Sequence, residues 1–156
     1  MPDLTITAGS VAQITTPVGN QIATVTARGT VGGTISITPG QVVYADPSAN
    51  NQLKLAQASI AFQSANVVGI ALGSAAPNQP LTYAVSGDIQ LATTAPVTLT
   101  SGSAYVLSIN PGNLISVLDP LAAGNFVTVI GVGNGTAAGT PTSVFRLNLI
   151  AGAAQK

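Results

Sequence analysis

The sequence predicts an all-β chain, a compact β-barrel or sandwich of jelly-roll-like character, built from two sequence-related halves and preceded by an extended N-terminal arm. Three observations predict it. First, Val67-Val68-Gly69-Ile70-Ala71-Leu72-Gly73 returns as Val129-Ile130-Gly131-Val132-Gly133-Asn134-Gly135, so that Gly69 falls on Gly131 and Gly73 on Gly135, an offset of 62 residues. Second, apolar residues alternate with hydroxyl residues at a period of two, the period of a strand with one face buried. Third, Gly, Pro and Asn interrupt these runs at the spacing typical of sandwiches and barrels.

Residues 1–33 read differently from the rest. Leu4-Thr5-Ile6-Thr7 alternates, Gln21-Ile22-Ala23-Thr24-Val25-Thr26 is rich in β-branched residues, and Gly9, Pro17, Gly19, Gly29, Gly32 and Gly33 break the pattern. The segment is expected to be an extended arm or a pair of edge strands, with Gly29 to Gly33 as a flexible joint. From Thr34 the strands become regular. Ile35 and Ile37 share a face, Pro39-Gly40 turns, Gln41-Val42-Val43-Tyr44 follows, Asp46-Pro47 and Asn50-Asn51 turn again, and Leu53-Lys54-Leu55 alternates.

Residues 34–86 lie on 96–148 without a gap. Gly40 meets Gly102, Asn51 meets Asn113, and Tyr83 and Val85 meet Phe145 and Leu147. The repeat also settles residues 56–62, which have helical propensity. Their counterpart runs through Asp119-Pro120, and a Pro spoils a helix interior, so loop is expected in both copies. Tyr44 and Tyr105 fall in equivalent strands one residue out of phase, so one of them is expected to face outward.

Composition bounds the function. The chain has 156 residues, 46% of them hydrophobic and only 5% charged, against roughly 25% charged in an average soluble protein. Solubility therefore rests on Ser, Thr, Asn and Gln. So neutral a surface is expected to be covered by copies of the chain or by a larger assembly. Four scattered basic residues give no footprint for nucleic acid. The longest apolar runs are far short of the roughly 20 residues of a membrane helix. No N-terminal signal is visible, and the chain is expected to be soluble.

Catalytic residue types are missing. The chain has no His, Cys or Glu, so its hydroxyls lack an activating base. Asp46, Asp88 and Asp119 sit in turn-like contexts (Asp46-Pro47, Gly87-Asp88, Asp119-Pro120), where an Asp usually caps its own backbone. No Asp spacing suits a cation, and Gly131-Val132-Gly133-Asn134-Gly135 lacks the Lys-Ser/Thr ending of a phosphate loop. The expectation is a protein that is not an enzyme and needs no cofactor or metal.

Val68-Gly69-Ile70-Ala71-Leu72, followed by Leu81-Thr82-Tyr83-Ala84-Val85-Ser86-Gly87-Asp88-Ile89, resembles the core of tailed-bacteriophage capsid decoration, or cement, proteins. So do Gly102-Ser103-Ala104-Tyr105-Val106-Leu107-Ser108, Pro111-Gly112-Asn113-Leu114-Ile115 and the run from Gly124 to Val132. Phage head-fibre and fibre-tip modules share the pattern. The resemblance implies an all-β knob, commonly a homotrimer, on the outer surface of the capsid, with the major capsid protein as partner and no catalytic residues. On that reading Leu4, Ile6 and Arg28 of the arm are candidate capsid contacts. Arg146, which alternates with Phe145 and Leu147, is a candidate oligomer contact. The alternative is a receptor-binding or fibre-tip module.

Overall fold

A computed structural model describes residues 3–7, 9, 11–59, 66–94, 98–116, 121–149 and 154–155, the last pair as backbone only. Among the described residues fourteen strands are formed: β1 (Thr5–Ile6), β2 (Ala12–Gln13), β3 (Val25–Thr30), β4 (Val42–Asp46), β5 (Gln52–Leu55), β6 (Val67–Ala71), β7 (Pro80–Gln90), β8 (Thr93–Thr94), β9 (Ala104–Leu107), β10 (Leu114–Ser116), β11 (Phe126–Val127), β12 (Val129–Gly133), β13 (Val144–Leu147) and β14 (Ala154–Gln155). The chain is all-β, and its main sheet runs β10-β9-β12-β13-β7-β6-β4-β5, every pair antiparallel. The loop expected over 56–62 is described only as far as Ser59, and Asp119-Pro120 lies outside the described residues.

The 62-residue repeat is present in three dimensions, in register. Ile70 faces Ala84 as Val132 faces Arg146, and Tyr44 faces Val67 as Val106 faces Val129. Even the register slip beside that last pair recurs at the same place. Gly40 N–H donates to Ala71 O at 2.8 Å and Gly102 N–H to Gly133 O at 2.9 Å, with both glycines at positive φ. One departure exists: Ala45 faces Leu53, whereas Leu107 faces Leu114, one residue out of step.

The structural repeat begins earlier than residue 34. Ala27 of β3 faces Tyr83, and Ile89 of β7 faces Phe145, again 62 residues on. β3 is thus the first strand of the first copy, and the second half of β7 is the first strand of the second. The copies abut near Gly87 with no linker between them, and β7 serves as the last strand of one and the first of the next. Gly87 has a φ of 85°, and a Cβ there would meet Ala23 O at 2.2 Å, so glycine is required at the junction.

Residues of the expected arm are woven in as strands. Along β7, Ala12 and Gln13 face Gln90 and Ile89, Asp88 N–H donates to Ile22 O, and β3 runs opposite Ser86 to Pro80. In the first copy, Val31 bridges Leu53 and brings β3 round to β5. In the second copy β1 enters the corresponding gap, with Ile6 facing Thr93 and Leu4 N–H donating to Leu114 O. No joint between arm and body separates residues 29–33: Val31 is wholly buried and Gly32 N–H donates to Leu53 O.

Three apolar clusters are present among the described residues; the third is a small one of Val106, Ile115 and Leu121, and the other two fill the interior. The smaller gathers Val31, Ile37, Val43, Leu53, Ala71 and Leu81 inside the first copy. The larger joins Val42, Ile70 and Ala84 to Leu91, Leu99, Tyr105, Leu107, Phe145 and Leu147, and takes in Leu4 from the N-terminus. The phase difference between the tyrosines does not turn either one outward, since both pack on the larger cluster and differ only in depth. Tyr105 is buried, 6.0 Å from the Phe145 ring, and its hydroxyl accepts from Thr100 N–H, while Tyr44 is half-exposed.

Candidate interaction surface

Each described carboxylate is occupied by donors of its own chain. Asp3 accepts from Ser108 Oγ, Asn110 Nδ2 and Asn113 Nδ2, which fastens the N-terminus over the turn leading into β10. Asp46 caps the 3-10 turn Pro47–Ala49 through Ser48 N–H and holds Lys54 Nζ at 2.6 Å. Among the described residues no group of three His, Cys, Asp or Glu is placed to hold a metal ion, and no helix is long and apolar enough to cross a membrane.

Asp88 departs from the turn expected of Gly87-Asp88. It lies inside the 11-residue strand β7 and is wholly buried. The Gly87 bulge redirects the strand without ending it, and the Asp88 carboxylate points into a polar node. Arg146 approaches it in a fork, Nε to Oδ1 at 2.8 Å and an Nη2 to Oδ2 at 3.0 Å. Ile22 N–H and Asn134 Nδ2 also donate to its Oδ2. The same guanidinium donates to Asn20 O at 2.7 Å, so the node binds residues 20–22 to the junction of the two copies. A fork of this kind is the strongest geometry for an ion pair. The hydrogen bonds to Asp88 raise the Arg146 pKa above its ordinary value.

An open cleft of about 430 Å³ adjoins the node, walled by Asn20, Gln21, Asn134, Thr136, Thr142 and Ser143 with Val18, Pro141 and Val144. Its chemistry is that of amides, hydroxyls and aliphatic carbons, with no charged side chain.

The second ion pair carries a pH prediction. Lys54, and after it Ser48, hold the Asp46 carboxyl down at about 2. A folded pKa below the unfolded one means that the contribution is fully present above about pH 4 and is lost as pH falls toward 2. Melting temperatures of the native protein and of Asp46→Asn should therefore converge between pH 4 and 2, the native protein being the more stable above that window. Parallel curves would show that Asp46 is not so held.

The candidate contacts are separated by the structure. Leu4 is 4% exposed and forms part of this chain's own core, and half-buried Ile6 packs against that core. Neither side chain is presented as an outward contact. Arg28 is exposed on β3. Arg146 does face away from Phe145 and Leu147, both buried, but its guanidinium is engaged by Asp88 and Asn20. What the N-terminal segment does present is apolar: Val18, Ile22 and Val25 are 65%, 54% and 52% exposed. Sequence reasoning missed these three. The signal was their β-branched character within a stretch rich in Gly, Pro and Thr. Comparisons with protein-family models, with curated proteins and with solved structures found no match to this chain.

Proposed function

We propose that this chain is a structural protein of a bacteriophage virion, a cement protein that binds the outer surface of the capsid and stabilises the shell by binding alone. One observation carries the reading: a tandem β unit, in the pattern that resembles such proteins, engages every described carboxylate with donors of its own chain and leaves a surface mainly of hydroxyls, amides and aliphatic carbons, with Arg28 exposed on it. Such a surface suits adhesion to another protein. A ligand that binds the assembled shell and not its parts stabilises it by linkage, about 2.7 kcal/mol per site at a free concentration of 100 times Kd. A homotrimer spanning several copies of the major capsid protein would add multivalency.

The contact face on this reading is the N-terminal segment with Val18, Ile22, Val25 and Arg28. Deleting residues 1–33 would strip β3 from β7 and unfold the first copy, so point variants are required. The native protein is expected to co-sediment with purified undecorated shells and to raise their disruption temperature. Val18→Asp with Val25→Asp, exposed positions, should melt as the native protein does and bind at least about 10-fold more weakly, a loss of 1.4 kcal/mol or more. Undiminished decoration would overturn the contact face. Failure to bind shells, together with blocked host adsorption by the free protein, would favour a receptor-binding module. Light scattering that finds a monomer at micromolar concentration would count against the trimer.

A further inference from the structure

We propose that the outer edge of β3, centred on Arg28, is a docking edge for an extended acidic segment of another protein, which adds to it as an antiparallel strand. The two copies of the repeat supply the argument. β3 and the second half of β7 are equivalent strands, since Ala27 faces Tyr83 as Ile89 faces Phe145. The second half of β7 is flanked on both sides, by β13 and by β2, with Gln13 opposite Ile89 and Ala12 opposite Gln90. The equivalent positions on β3 are Ala27 and Arg28. There β7 is the strand partner, and nothing among the described residues stands where β2 stands in the second copy.

The edge is open to backbone pairing. Hydrogen-bonded residues alternate along an antiparallel ladder. Val31 N–H donates to Gln79 O, so Gly29 and Ala27 also turn their backbone groups toward β7. Those of Thr26, Arg28 and Thr30 point outward and all three residues are exposed; the Thr30 carbonyl is taken up in the bridge that sets Val31 beside Leu53, while the outward groups of Thr26 and Arg28 pair with no strand among the described residues. Strand addition to such an edge draws its affinity from the main chain.

Charge selects the occupant. Two copies pairing β3 on β3 about Arg28 would set guanidinium against guanidinium, a destabilising cross-strand pair, and a basic residue on an edge strand guards against self-association. Among the described cations, Lys54 is held by Asp46 and Arg146 by Asp88, whereas Arg28 has no carboxylate. An incoming strand with an acidic side chain opposite Arg28 satisfies it. This inference does not rest on the virion reading, because its test uses no shells.

The probe is a capped synthetic peptide with the sequence of residues 10–15 carrying Ala12→Glu, the position that the repeat sets opposite Arg28. A second peptide carries Ala12→Lys. With the full-length protein, NMR should show amide shifts and slowed hydrogen exchange at Thr26, Arg28 and Thr30. The Glu peptide should bind about fivefold tighter than the Lys peptide. Arg28→Pro removes an outward N–H that the fold does not use, and should abolish these shifts. Arg28→Glu should reverse the preference between the peptides, which keeps the test decisive if the Pro variant fails to fold. No shifts at the three amides with millimolar Glu peptide, or equal binding of both peptides, would overturn the proposal.

Discussion

Replacing Asp88 with alanine will lower the melting temperature by about 6–12 °C. The substitution leaves the Arg146 guanidinium, Ile22 N–H and Asn134 Nδ2 without their acceptor. Removing one partner of a buried ion pair costs about 3–5 kcal/mol. Water can reach Arg146, whose side chain is 31% exposed, so the lower end applies. About 3 kcal/mol corresponds to the stated shift at about 2–4 °C per kcal/mol in a chain of this size. Arg146→Ala should cost at least as much, because it leaves the wholly buried carboxylate with neutral donors only. The double variant should cost clearly less than the sum of the two single ones, as a shared contact requires. Thermal unfolding measures all three. Loss of the node should also speed proteolysis between residues 14 and 24, the excursion that Asp88 holds down. A change in melting temperature below about 2 °C for Asp88→Ala would mean that the node does not secure the junction.

Gly69→Ala and Gly131→Ala should each destabilise by about 3 kcal/mol, at the upper end of the overpacking range. An added Cβ would stand 2.1 Å from Ala84 O in the first case and 2.1 Å from Arg146 O in the second. It would also press on the aromatic ring laid across the glycine, 2.7 Å from Tyr83 and 2.8 Å from Phe145. Both obstacles on each side belong to equivalent residues, and the nearer one is backbone, which cannot swing aside. Gly73→Ala, with nothing within 4 Å of the new Cβ, should stay within about 0.5 kcal/mol of the native protein. Denaturant midpoints decide. Tolerance of either substitution within about 1 kcal/mol would show that the strands stand further apart, and unequal costs would show that the two copies are not packed alike.

These glycines also explain how much of the fold was legible. A strand crossing under an aromatic residue needs glycine at one position, so Gly69/Gly131 and Tyr83/Phe145 are written into both copies and carry the repeat. Period-two alternation located β5 and β13, but the alternation read from Thr34 to Thr38 forms no strand: Ile37 is buried and bridges Ala75, while Ile35 is 64% exposed. The pairing of β3 left no such trace. Val25-Thr26-Ala27-Arg28-Gly29 and Gly87-Asp88-Ile89-Gln90-Leu91 share no identity, because the ladder that makes them equivalent is formed by backbone groups. Gly87-Asp88 read as a turn for a related reason. Locally a positive-φ glycine before an Asp looks the same in a turn and in a bulge, and what distinguishes them is Arg146, 58 residues away. Likewise the alternation around Arg146 told which way the side chain points and nothing of the carboxylate waiting there. Leu4 and Ile6 alternate as any half-buried strand does, and the pattern does not say whose core they enter.

The fastening of Asp3 and Leu4 over the turn at Ser108–Leu114 has a temporal side. Asp3 and its partner Asn113 are 110 residues apart. At about 5–20 residues per second of synthesis, the first strand waits roughly 5–20 s for the groups it pairs with. The first copy suffers no such delay, since β3 through the first half of β7 lie within residues 25–86 and close on one another. The beginning of the polypeptide is therefore among the last parts to find its place, and β1, the first strand made, seals the second copy as a late event.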